Sequence, residues 1–209
     1  MPGTPKPIGD ISGSVDESDI YASSKNQIYR KSSGIWAADR SVGFAVRPSN
    51  SIWSNADASR VLTHGGFGRE TWEKVGGSWV YGSAENFDGH AIVGFDASAF
   101  EIFAAATSRT GIKPGQLWQY DGAPNPRFGV LKATSGIDYT QFYAIWGTAP
   151  NDLFIASGRV YAQPTVIGVP TAGLGTGYIF HWDGGTLSDL SGLIDEHLFG
   201  ISGTASNDV

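Results

Sequence analysis

Tyr143 to Ser157 reads YAIWGTAPNDLFIAS, and after an insertion Gly177 to Gly185 reads GYIFHWDGG. Adjacent residues on a strand point to opposite faces. The apolar pairs Leu153-Phe154 and Ile179-Phe180 therefore call for strands covered on both sides, as in a sheet held between two neighbours. Earlier copies follow the same plan. Ala91 opens AIVGFDASAFEIFAAA, with GQLWQYDG from Gly115; Ile11 opens ISGSVDESDIYASS, with NQIYRKSSG from Asn26. A more altered copy reads FAVRPSNSIWSN from Phe44, then RVLTHGG from Arg60 and ETWEKVGG from Glu70. ISGTASNDV from Ile201 opens a fifth. Starts at Ile11, Val46, Val93, Trp146 and Ser202 give spacings of roughly 35, 47, 53 and 56 residues, the period of sheet repeats in propellers.

Composition agrees with a turn-rich β protein. The 209 residues include 29 Gly and no Cys, and charged residues make up 16%, below the ~25% of ordinary soluble domains. Gly at this frequency disfavours long helices. With 12% aromatics and a net charge of −6 the chain does not fit the disordered class. No segment shows the charged flank and short apolar core of a signal peptide, or a run long enough for a membrane helix. After Arg159 there is no Lys or Arg, while Asp183, Asp189, Asp195, Glu196 and Asp208 remain. That stretch repels phosphate, so neither nucleic acid nor membrane insertion is expected.

Within each copy, strand a ends at Gly13, Gly94, Gly147 or Gly203. Strand b carries Ile20-Tyr21, Ile52-Trp53, Ile102-Phe103 and Leu153-Phe154. Strand c carries Ile28-Tyr29, Val61-Leu62, Leu117-Trp118 and Ile179-Phe180. In the altered copy Arg47-Pro48 replaces the glycine. Trp79 to Gly89 fits no column and reads as an inserted hairpin or loop. Asp121-Gly122 and Asp183-Gly184 predict tight hairpins after strand c. Asp19, Ser51, Glu101, Asp152 and Asp208 precede strand b, where an acceptor side chain can serve backbone N–H groups of the turn.

The phrase IWGTAPNDLFIAS with GYIFHWDGG resembles the repeat of bacterial β-propeller proteins built on a Trp-Gly strand, an Asn-Asp turn and an aromatic strand ending in Asp-Gly. That resemblance covers most of the chain and is strongest from Ala91 onward. It implies a propeller fold and, for such proteins, an extracytoplasmic setting. It does not select a function, because one fold hosts many.

Catalysis finds little footing. Ser and Asp fall in turn columns rather than beside a base. His181 and His64 lie near the end of strand c, His181 sharing its column with Arg30, Thr63 and Gln119. Asp195 and His197 supply too few ligands for a metal site. Gly173 to Gly177, GLGTG, lacks the Lys and the helix of a phosphate loop. No catalytic residue, metal or cofactor is expected. Tyr29, Trp118 and Phe180 share a column with Leu62 and read as core. Tyr120 and Trp182 share a rim-side column with Lys31 and His64, so they are expected to be partly exposed and are the candidate ligand-binding residues. The insertion 159–176 carries Val160, Val166, Ile167, Val169 and Leu174, costly to leave in water, and is the candidate partner-binding loop.

The sequence thus predicts an all-β propeller of four to five blades, with repeats of roughly 35–56 residues. Residues 1–10 form a Pro/Gly-rich arm or linker. The repeats divide at about 11–40, 41–89, 90–142, 143–197 and a partial 198–209. The expected function is a non-catalytic recognition module that binds a protein partner or glycan through blade loops, outside the cytoplasm or on a particle surface. The alternative is a structural subunit of a virion or cell-surface complex, joined through the N-terminal arm and the C-terminal strand.

Overall fold

The computed structural model describes residues 8–24, 27–41, 49–65, 71–82, 87–95, 102–108, 115–120, 128–133, 140–159, 177–190, 198–205 and 207–208. Among them the chain is all-β, without a helix. It forms four antiparallel sheets, each a four-stranded meander cut from one stretch of chain. Sheet one holds β1 (Ile8–Gly13), β2 (Asp19–Ser24), β3 (Gln27–Ser32) and β4 (Ile35–Ser41). Sheet two holds β5 (Ser49–Ser54), β6 (Arg60–Gly65), β7 (Thr71–Val75) and β8 (Ser78–Tyr81). Sheet three holds β9 (Phe87–Gly94), β10 (Ile102–Ser108), β11 (Gly115–Tyr120) and β12 (Phe128–Ala133). Sheet four holds β13 (Thr140–Ala149), β14 (Asp152–Arg159), β15 (Gly177–Trp182) and β16 (Leu187–Asp189).

No sheet closes on itself. The first strands stand side by side, β1 by β5, β5 by β9 and β9 by β13, and among the described residues β13 makes no comparable approach to β1. The core is correspondingly split into three layers between successive sheets. The first joins Tyr21 and Ile28 to Ile52 and Val61. The second joins Leu62 to Ile102, Ala104, Trp118 and Tyr120. The third joins Phe103 and Leu117 to Phe142, Leu153, Ile155, Phe180 and Trp182.

Pairing corrects the reading of the second copy. Ile52-Trp53 lie on β5, the first strand, and Val61-Leu62 lie on β6, the second. Trp79 to Gly89 is not an insertion: Trp79 lies on β8, the last strand of sheet two, and Phe87 opens sheet three. The turn that holds β5 to β6 explains the shift. Asn55 to Ser59 matches Ser14 to Ser18. Asp57 accepts from the Ser59 N–H at 2.9 Å as Asp16 does from Ser18 at 3.0 Å. Ala58 and Glu17 share a positive φ, 54° and 59°. Ser54 thus stands where the other copies carry Gly, and Arg60, not Ser51, occupies the column of Asp19 and Asp152. His64 consequently sits on the second strand, fully buried, not at the end of the third. Leu62 leaves the aromatic column, which becomes Tyr29, Trp72, Trp118 and Phe180. Arg47-Pro48 and Asp121-Gly122 lie outside the described residues.

Hairpin chemistry follows the local sequence, with one change. Ser33-Gly34 and Gly76-Gly77 are two-residue turns with positive φ at both positions, 51° and 80°, 57° and 83°, which matches the right-handed strand twist. After β15 the central pair is Gly184-Gly185, not Asp183-Gly184. The Asp183 N–H donates to the Thr186 carbonyl, and its carboxylate accepts from Gly185 and Thr186 at 2.9 and 2.6 Å.

The first junction is tied by a buried ion pair. Lys74 of β7, 5% exposed, donates to Asp39 of β4 at 2.7 Å, and the Trp79 indole donates to the same oxygen at 2.7 Å. Removing one partner of such a pair strands a charge in low dielectric, whereas removing both does not. Asp39→Ala is therefore expected to destabilise by about 2–4 kcal/mol. Asp39→Ala combined with Lys74→Met is expected to recover most of that loss, in a double-mutant cycle measured by denaturant unfolding.

Candidate functional site

Two sets of side chains recur at the end of the sheets that bears the β1–β2-type turns. The first is a cross-strand pair between the second and third strands. Asp19 takes both Nε and Nη2 of Arg30, at 2.6 and 2.7 Å. In sheet two the signs are exchanged, and Arg60 donates to Glu73. In sheet four Asp152 pairs with His181 at 2.9 Å and also accepts from Thr148. Gln119 holds the third-strand position in sheet three, opposite Phe103. This column was expected to serve backbone N–H groups; Asp19 and Asp152 bind side chains across the strands, Asp208 accepts from Thr204 within its own turn, and Glu101 lies outside the described residues. The turns are served by Asp16, Asp57, Ser14 and Asn55. Arg30 holds the Asp19 carboxyl below the usual carboxylate range. His181 is the imidazole partner in a structural pair that recurs in the other sheets.

The second set corrects the rim-side column. With sheet two re-registered it contains Lys31, Lys74, Tyr120 and Trp182, the residues one step further along the third strands. In sheets two, three and four the column faces the preceding sheet, not solvent. Tyr120 is 0% exposed and Trp182 4%, so the expected part exposure of both is not found. Lys74 reaches Asp39 and, at 3.3 Å, the Tyr21 hydroxyl. The Tyr120 hydroxyl donates to Glu73 of sheet two, beside Arg60, whose guanidinium lies 5.5 Å from the Tyr120 ring centre.

At the third junction this geometry leaves a cleft of about 330 Å³. Phe103 and Gln119 of sheet three line one side. Trp182, Gly184 and the turn residues Pro150 and Asn151 of sheet four line the other. The deep walls are aromatic, Phe103 and Trp182, and the mouth carries two carboxamides, Gln119 and Asn151. None of these side chains is charged. Clefts of this size with apolar walls and few polar groups suit small ligands or single groups of larger ones. Of the sequence candidates the cleft includes Trp182 and leaves out Tyr120, which is held in the second junction. Val160, Val166, Ile167, Val169 and Leu174, like Asp195 and His197, lie outside the described residues. No cluster of three metal-ligating side chains occurs among the described residues.

Sequence reasoning missed Phe103, Gln119, Pro150, Asn151 and Gly184. Gln119 was visible as an uncharged member of the His181 column, and Asn151 as part of the Asn-Asp turn. Their convergence depends on how sheet three meets sheet four.

No family model matches the chain, and no curated protein matches it in sequence. Among solved structures it is similar to Kuenenia stuttgartiensis hydrazine synthase, at 11% identity and a TM-score of 0.60. The match covers 88% of this chain and 53% of that one, so the chain spans about half the length of that relative. The likeness concerns the fold.

Burial, reinforced by Glu73, pushes the Tyr120 phenol well above its ordinary value near 10. The unfolded chain ionises at that ordinary value while the folded chain does not. The stability carried by the neutral phenol is therefore complete below pH 10 and falls as pH rises beyond it. Alkaline unfolding followed by circular dichroism is expected to show a shallower loss above pH 10 in Tyr120→Phe. The same variant is expected to lose about 1–2 kcal/mol at neutral pH, from the missing bond to Glu73.

Proposed function

We propose that the four sheets are blades of a propeller-type array and that the array is a non-catalytic recognition module. Its ligand is a neutral glycan, one sugar unit of which enters the cleft between sheets three and four. The observation that carries this reading is the uncharged cleft itself, at the level where the other two junctions are filled by Lys74 and Tyr120. Carboxamides such as Gln119 and Asn151 can both donate to and accept from hydroxyls. Aromatic walls suit the apolar C–H faces of a sugar ring. A carboxylate- or phosphate-bearing ligand finds no cation among the described residues of the lining. The acids and His181 nearby are engaged in cross-strand pairs, which favours binding over catalysis. The three like junctions between successive sheets, and the fold shared with the larger solved structure, support the blade reading. A glycan-binding module of this kind belongs on a cell or particle surface.

A glycan array probed with the full chain, followed by calorimetry on the hits, tests this. Asn151→Ala and Gln119→Ala are each expected to weaken binding by about tenfold, the loss of one well-placed hydrogen bond. Lys31→Ala, on a distant sheet, should leave affinity unchanged. Silence of the folded protein on the array would overturn the glycan reading, as would affinity indifferent to both cleft variants. Binding to a peptide library that Asn151→Ala weakens would reassign the cleft to a protein partner.

A further inference from the structure

The two faces of sheet one have different fates. Ser12, Tyr21 and Ile28 meet sheet two. The opposite face presents Ile11, Ile20, Tyr29, Lys31 and Trp36, paired row by row across β1 to β4. That outward face repeats the face by which sheet two receives sheet one. Gly13, Ile20, Lys31 and Trp36 stand in register in one row; Ser54, Val61, Lys74 and Trp79 stand in the matching row of sheet two. In the next row of that face, Ile11 and Tyr29 match Ile52 and Trp72. The chemistry is the same and the burial is not. Ile11 is 56% exposed and Trp36 45%, against 3% for Ile52. Lys74 is held by Asp39 and Tyr21; Lys31 has no ion pair among the described residues.

What fits such a face is the opposite face of another sheet of this repeat, and sheet four carries one. Trp146, Phe154, His181 and Ser188 form its outward row, with Phe154 at the position of Tyr21. Part of it is covered by residues 198–205. Gly203 lies against Trp146, where a Cβ would come within 3.0 Å of the indole, and the Thr204 hydroxyl donates to Asp208 at 2.6 Å. This segment begins with Ile201-Ser202-Gly203, the same tripeptide as Ile11-Ser12-Gly13 at the end of β1. Both glycines close on the carbonyl of the acid that ends their turn, Asp208 and Asp19. Residues 201–203 therefore hold on sheet four a place that β1 is equally shaped to take.

We propose that copies of this chain associate head to tail. The outward face of sheet one of one copy packs on the outward face of sheet four of a second copy, and the incoming β1 takes the place of residues 201–203. Lys31 then lies over Phe154 as Lys74 lies 5.1 Å from the Tyr21 ring centre. It meets a part of the chain that holds acids and, beyond Arg159, no Lys or Arg. The contact is heterologous, so repetition builds a ring where the rotation closes and a filament where it does not. The inference is independent of what the cleft binds.

Sedimentation equilibrium of the full chain over a wide concentration range tests it, with circular dichroism as the check on folding. The expected wild-type result is reversible association to a whole-number multiple of the single-chain mass. Trp36→Lys, at an exposed aromatic, is expected to raise the dissociation constant by on the order of tenfold or more. Lys31→Glu should weaken association in the same direction and serves if Trp36→Lys does not fold. Gly203→Val, which drives the terminal segment off Trp146, is expected to tighten association several-fold by removing the competitor. Single-chain mass at every concentration for both wild type and Gly203→Val overturns the proposal. Association indifferent to Trp36→Lys and Lys31→Glu overturns it as well.

Discussion

A meander of four short strands cannot hide both of its faces by itself, and every other feature of this chain answers to that constraint. Small twisted sheets of this length are at best marginal alone. Each sheet gains stability when the next is laid against it. The interior is accordingly three thin layers rather than one core, and each layer draws side chains from both of its neighbours. Low charge and abundant aromatics follow, because interior strands have no solvent face on which to place polar residues. The residue that decides each layer is the one occupied by Lys74, Tyr120 and Trp182, which projects from the third strand into the sheet before it.

The three layers meet that need with different chemistry. Between sheets one and two the contact is polar at its centre: Lys74, Asp39, Trp79 and the Tyr21 hydroxyl share one network, and Arg40 stacks over Trp72 with its guanidinium 3.8 Å from the ring centre. Between sheets two and three a phenol replaces the ammonium and Glu73 is shared between Tyr120 and Arg60. Between sheets three and four the described core is apolar, Phe103 and Leu117 of sheet three against Phe142, Leu153, Ile155 and Phe180 of sheet four. Burial of apolar area stabilises without directional demands. Buried ion pairs contribute less net stability but penalise any other partner, since a stranded charge is expensive. Sheet two is thus bound to sheet one by specificity, and sheet four to sheet three by area.

Much of this was legible in the sequence, and the failures have physical causes. Adjacent apolar residues such as Ile20-Tyr21, Ile102-Phe103 and Leu153-Phe154 announce strands covered on both faces, and they lie on second strands as expected. The second copy was displaced by one strand because its markers were chemically exchanged. Ser54 stands for Gly, and the turn Asn55 to Ser59 performs with Asn-Ala-Asp-Ala-Ser what Ser-Val-Asp-Glu-Ser performs elsewhere. The Asp19–Arg30 pair becomes Arg60–Glu73. The interaction persists while both residues change sign, so a column read by residue type passes over it. Tyr120 and Trp182 looked like rim residues because their column contains lysines. Lys74 shows that a lysine can occupy that column and still be buried when an acid of the preceding sheet meets it.

The same contrast bears on the cleft between sheets three and four. An ammonium such as that of Lys74 must find a carboxylate when buried, and a phenol such as Tyr120 must find an acceptor; both therefore pull the two sheets together at their tips. Indole is different. Its single N–H lies on the ring edge, and most of its surface asks only for apolar contact. Trp182 fills its junction by packing into the cluster of Phe180 and Leu153, and opposite it stands Gln119 rather than an ion. The sheets can then diverge slightly toward the turn residues Pro150 and Asn151 without stranding a charge. A cleft is compatible with stacked sheets of this kind only where the side chain closing the junction can leave its partner in contact with water. In this chain that exchange, from ammonium and phenol to indole, falls between sheets three and four.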